Sequence, residues 1–109
     1  MSCNDGIRRG TTPGITALIS GDLSGYTMAL TFSTDSGLLT KEGDDLLVEY
    51  DQEKDETSIG VTLTQEETLA FTGIICEVQL RGLGPEGDAI ASDIRPVAVK
   101  RVLLEEVLE

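Results

Sequence analysis

The chain reads as an all-β protein, a two-sheet immunoglobulin-like sandwich of about seven to eight short antiparallel strands, with one helical turn at the sheet crossing. Three observations point there. Apolar and polar residues alternate in segment after segment, as in Ile15, Ala17 and Ile19 or in Tyr26, Met28, Leu30 and Phe32. That period of two marks a strand with one buried and one wet face. Clusters of Gly, Asp and Ser separate the segments at short intervals, with no long helical pattern between them, which excludes a parallel doubly wound sheet. Finally, the stretch 57–82 has the order strand, single helical turn, strand, the form of a connection that carries the chain from one sheet of a sandwich to the other.

Taken in order, residues 1–10 are polar, with Arg8 and Arg9 their only basic pair. They read as a flexible arm in front of a single domain over residues 11–109. Pro13 suits the start of an edge strand, and Ile15, Ala17 and Ile19 form the first strand until Ser20, Gly21 and Asp22 break it. The second strand, Tyr26 to Phe32, is supported by its β-branched and aromatic content. A loop ending in Gly37 returns the chain into a short antiparallel strand, Leu38 to Lys41. Another turn at Glu42, Gly43, Asp44 and Asp45 precedes the alternation Leu46, Val48, Tyr50, and 51–56 is a charged loop.

In the organising stretch, Ile59, Val61 and Leu63 alternate with polar residues or Gly, and Cys76, Val78 and Leu80 do so again. Between them, Thr64 followed three residues later by Glu67 is a capping box, in which each residue's side chain satisfies the other's orphan backbone N–H. Thr72 and Gly73 limit the helix to one turn. Residues 88–92 and 94–102 form the last two strands, with Val97 and Val99 in the core. The tail from Leu103 to Leu108 has helix-like spacing but is too short to hold a helix alone.

Composition narrows the chemistry. Aromatics are only 4% and Trp is absent, so the core is built from Val, Ile, Leu and Ala. Twenty acids against eight bases give a net charge of −12, which repels nucleic-acid phosphates and anionic headgroups. No nucleic acid or membrane partner is expected, and no apolar run approaches a transmembrane span. No secretory leader is recognisable, and a reducing intracellular setting is expected. With no histidine, Ser–His and Cys–His nucleophile systems and histidine metal sites are excluded. Cys76 lies on the apolar face of its strand and reads as a small hydrophobe, in preference to a disulfide with Cys3.

Several motifs match chemistry only in outline. Gly82-Leu83-Gly84-Pro85-Glu86-Gly87 fits G-x-G-x-x-G literally, but an extended segment follows it and Glu86 stands where phosphate would bind, so a hairpin loop is the reading. Asp51, Glu53 and Asp55 are spaced like the start of a calcium loop, yet Glu56 and Thr62 occupy the places that need Gly and Glu. A solvated hairpin tip remains, with a weak cation site as its alternative. Arg81, Arg95, Lys100 and Arg101 read as outward residues paired with the many acids, or as a docking face. No catalytic, cofactor-binding or metal-ligating residues are assigned, and no enzymatic activity is expected.

Arg9-Gly10-Thr11-Thr12-Pro13, the run Leu63 to Phe71 (LTQEETLAF), Val78-Gln79-Leu80-Arg81, the run Gly87 to Asp93 (GDAIASD), and Val99 with Arg101 and Leu103 carry a resemblance. The chain resembles small proteins of bacteriophage and prophage tail gene clusters, and in them the N-terminal β-sandwich domain of baseplate upper proteins. The likeness spans nearly the whole chain, with Met1 to Ile7 outside it. It implies a non-catalytic structural or assembly role made of protein–protein contacts with other tail and baseplate proteins, as a homo-oligomer. Such a protein would reside in the bacterial cytoplasm during assembly and then in the virion tail. A different expectation is an immunoglobulin-like binding module of another bacterial protein that recognises protein or carbohydrate. The arm, the strand edges and the tail from Leu103 to Leu108 are the expected contact surfaces.

Overall fold

The structure, a computed structural model, describes residues 6–108. Nine strands form among the described residues: β1 (Ile7–Arg8), β2 (Gly14–Ser20), β3 (Thr27–Thr34), β4 (Gly37–Glu42), β5 (Leu47–Asp51), β6 (Glu56–Thr62), β7 (Ile75–Leu83), β8 (Ala89–Ala91) and β9 (Arg95–Lys100). One sheet has the order β1-β9-β7-β3-β4, with β8 also paired to β7, and the other has the order β2-β6-β5. The two form the predicted sandwich. A 3-10 turn, Gly43–Asp45, and a five-residue helix, α1 (Gln65–Leu69), complete the elements.

The core follows the alternation. Ile15 and Ala17 of β2 and Ile59 and Val61 of β6 face Met28, Leu30 and Phe32 of β3, Cys76, Val78 and Leu80 of β7, and Val97 and Val99 of β9, all buried. Each such aliphatic side chain contributes roughly 1.5–3 kcal/mol on leaving water. Phe32 and Phe71 supply the one aromatic pair among the described residues, with ring centroids 6.1 Å apart.

The stretch 57–82 does cross between the sheets, from β6 in the small sheet to β7 in the large one. Its capping box is formed on both sides: the Thr64 hydroxyl accepts from the Glu67 amide at 3.1 Å, and the Glu67 carboxylate accepts from the Thr64 amide at 2.9 Å. Three further crossings were not distinguished in the sequence. Residues 9–13 pass from β1 to β2, residues 21–26 from β2 to β3, and residues 43–46 from β4 to β5.

Four expectations need correction. Residues 7–8, assigned to the arm, are a strand: β1 pairs in parallel with β9, and Ile7 is fully buried. Met1 to Asp5, including Cys3, lie outside the described residues. Burial of Ile7 accounts for the order of this segment, and a single inward residue leaves no alternation to read. The sandwich is therefore not wholly antiparallel, and it has one strand more than foreseen. The last strand covers only Arg95–Lys100. Finally, Tyr50 is not in the core but exposed.

Candidate interaction surfaces

Two buried hydroxyls that the sequence reading passed over fix the shape of the surface. Thr57 is wholly buried; its Oγ1 accepts from the Leu23 amide at 3.0 Å and donates to the Gly21 carbonyl at 2.7 Å, which pins the β2–β3 crossing. Thr68, also wholly buried, accepts from the Gly10 amide at 3.0 Å and donates to the Thr11 carbonyl at 2.9 Å. It ties α1 to the link between β1 and β2. The signal for Thr57 lies in its phase, two residues before Ile59 on the inward face of β6. Arg9 completes the same junction. Its Nη2 donates to the Leu69 carbonyl at 2.6 Å, satisfying an end of α1, and Nη1 pairs with Glu105.

The loop 82–87 is the hairpin tip between β7 and β8. Its Gly84 amide donates to the Asp88 carbonyl at 2.7 Å and its Gly87 amide to the Gly84 carbonyl at 3.0 Å. The segment after it is β8, not a helix. The loop 51–56 is likewise a hairpin tip, between β5 and β6. Asp51 Oδ1 accepts from the Glu53 amide at 3.0 Å, closing the turn, and Asp55 takes a positive φ of 51°.

Acidity dominates that end of the molecule. The Tyr50 hydroxyl donates to Asp55 Oδ1 at 2.6 Å. This bond above all, then desolvation, then the charges of Asp55, Asp22 and Asp51, push the phenol up to about 12. Glu67 behaves differently. Burial acts to raise its pKa, but hydrogen bonds from Lys41 and Thr64 and the Lys41 charge outweigh burial and lower it. Lys41–Glu67, at 2.5 Å, and Arg9–Glu105 are the ion pairs among the described residues.

Among the described residues, the basic residues singled out in the sequence are therefore not paired with acids. Arg8, Arg81, Arg95, Lys100 and Arg101 are exposed, and none joins an ion pair among the described residues. Arg8 and Lys100 are register partners across the β1–β9 pair. Two like charges facing each other in this way repel. Arg8 Nη1 turns instead to the Arg101 carbonyl at 2.8 Å.

Topology separates the charges. β4 and β5 are joined by residues 43–46 alone, so the outer strands of the two sheets share one flank. β1 and β2, joined by residues 9–13, share the opposite flank. Residues 37–56, which run from β4 through β5 to the start of β6, hold eight acids, all within 42–56 (Glu42, Asp44, Asp45, Glu49, Asp51, Glu53, Asp55, Glu56), and two bases, Lys54 and Lys41, the latter paired with Glu67. There Asp51 and Glu56 are register partners, so this flank too holds like charges face to face. Arg8, Arg95, Lys100 and Arg101 lie on the opposite flank. Both flanks also expose apolar side chains, Leu47 (65% exposed) on β5 and Leu103 (88%) just beyond Arg101. The tail that carries Leu103 is held at its far end by Gln65, whose amide bonds both the N–H and the C=O of Leu108. It forms no helix.

Concavities are shallow. A groove of about 380 Å³ runs between the β3–β4 hairpin and α1, past Leu38, Leu39 and Phe71. Another, about 670 Å³, lies over Leu18, Tyr50, Gln52 and Ser58, among the carboxylates of the β5–β6 tip. No cluster of three or more metal-ligating side chains occurs among the described residues. No described helix is long and apolar enough to cross a membrane.

No family model matches the chain, and no curated protein matches it in sequence. Among solved structures it is similar to a cycloalternan-degrading enzyme from Trueperella pyogenes, in complex with a covalent intermediate, with a TM-score of 0.62 and 11% identity. The match takes in 89% of this chain and 15% of that enzyme's chain. At that identity the likeness speaks for the fold: the same sandwich occurs there as one part of a much longer protein.

Proposed function

We propose that this chain is a non-catalytic structural and assembly module of a bacteriophage or prophage tail, associated with the baseplate and acting through protein–protein contacts. The observation that carries the contact role is the surface: its pronounced features are two flanks of opposite charge and exposed leucines, while its grooves are shallow and open. Surfaces on which one sign of charge predominates, with apolar residues among them, suit recognition of another protein. The tail setting rests on the resemblance carried by the run Leu63 to Phe71 and the run Gly87 to Asp93. Co-expression with the tail and baseplate proteins encoded beside it, followed by size-exclusion chromatography with light scattering, tests the reading. A stoichiometric complex with at least one of them is expected. Elution apart from all of them would sink the tail assignment.

A second reading is an immunoglobulin-like module that recognises carbohydrate. It is favoured by Tyr50, an exposed aromatic bordering the larger groove amid carboxylates that can accept sugar hydroxyls. Titration with cycloalternan and with a glycan array decides it. Saturable binding that Tyr50→Ala abolishes would favour this module over the tail role.

A further inference from the structure

We propose that the two flanks recognise each other between copies of this chain, the acidic β4–β5 flank of one molecule seating on the basic β1–β9 edge of the next, head to tail. The inference deepens the protein-contact reading by naming a partner, a second copy, and it does not need the tail setting.

Charge complementarity is the first argument. Each flank holds like charges across a strand pair, Arg8 beside Lys100 on one and Asp51 beside Glu56 on the other. Among the described residues no ion pair neutralises Arg8, Lys100, Asp51 or Glu56, although the chain has acids in excess. Facing like charges destabilise a strand pair, and a counter-charged surface relieves both repulsions at once. A negatively charged protein from elsewhere would fit the basic edge alone. A second copy satisfies both edges.

Apolar complementarity is the second argument. Leu47 stands out from the acidic flank and Leu103 from the basic one, so the ion pairs would surround a dry contact, the usual anatomy of a specific interface. A specific interface takes about 800 Å² from each partner, which a flank of a molecule 45 × 24 × 22 Å in extent can supply. β5 also ends its sheet, so its outward backbone groups are open to pairing. Because the two surfaces differ, the contact is heterologous. It closes into a ring if the rotation per subunit permits and otherwise builds a filament.

Analytical ultracentrifugation of the whole chain at low and high NaCl tests this, together with two double variants. Lys100→Glu with Arg101→Glu reverses the basic edge, and Glu49→Lys with Asp51→Lys reverses the acidic one. The wild type is expected to self-associate with rising concentration. Raising NaCl to about 1 M should weaken that association at least tenfold, since screening then acts within about 3 Å. Each variant alone is expected to stay monomeric. An equimolar mixture of the two should associate again, because the reversed edges complement each other, and that recovery also shows both variants to be folded. A wild type that is monomeric throughout overturns the inference, as does self-association that ignores salt or persists in both variants. A mixture that stays monomeric overturns the head-to-tail pairing. A monomeric chain that still binds tail proteins would refute the self-contact and leave the proposed function standing.

Discussion

At the scale of single residues, the hydroxyls of Thr57 and Thr68 matter more than their type suggests. Each side chain is itself wholly buried and holds one amide and one carbonyl of a crossing segment. Replacing Thr68 with Val keeps the shape and strands the Gly10 amide and the Thr11 carbonyl. The expected cost is about 1–3 kcal/mol, read from urea unfolding, with Thr12→Val at a neighbouring exposed position as the unaffected control. Tyr50 yields a prediction of a different kind. Its phenol is raised from 10.0 to about 12 in the fold. The folded state thus holds the proton more tightly than the unfolded chain. The stability this adds is complete below pH 10 and is lost as pH rises through about 12. An absorbance titration of tyrosinate should show Tyr50 ionising late, and Asp55→Asn should bring it back toward 10.0. Little of this was legible in the sequence. The capping box of Thr64 and Glu67 was, because its two partners sit three residues apart. Thr57 and Thr68 bond to residues far away in the chain, and no local spacing records such a pairing.

At the scale of elements, local periodicity carried far. β2, β3, β6 and β7 bury the residues their alternation names, since a strand packed on one face must write its burial at every second position. The short elements are where that rule ran out. β1 has two residues and one inward side chain, Ile7, so its identity depends on β9, nearly the whole chain away. Ile7→Ala should cost about 2–4 kcal/mol and detach β1 from β9. Amide hydrogen exchange should then show early loss of protection at Arg9, whose N–H bonds the Lys100 carbonyl at 2.9 Å. Unchanged protection there would mean that β1 is held by something other than its buried isoleucine. Tyr50 shows the same limit from the other side. Its place in the alternation of 46–50 pointed inward, but β5 ends the small sheet and its last turn opens to solvent, where the hydroxyl finds Asp55.

At the scale of the whole molecule, the net charge of −12 was plain from composition, but its distribution was not. The run of acids over 42–56 is visible in the sequence. What places it opposite Arg8, Lys100 and Arg101 is the topology, which puts β5 beside β4 and β1 beside β9. Arg95, Lys100 and Arg101 were expected to be balanced by acids nearby, and the topology keeps the acid-rich run 42–56 on the other flank. The parallel pair of β1 and β9 has a mechanical side as well. The two strands run the same way, so a pull directed backward along β1 and forward along β9 loads their hydrogen bonds lengthwise and together, in shear. An antiparallel pair pulled apart from one end would unzip bond by bond at lower force. Tension passed through this domain along its first and last strands is thus borne by the β1–β9 seam as a clamp, and single-molecule stretching should register a force peak that Ile7→Ala removes.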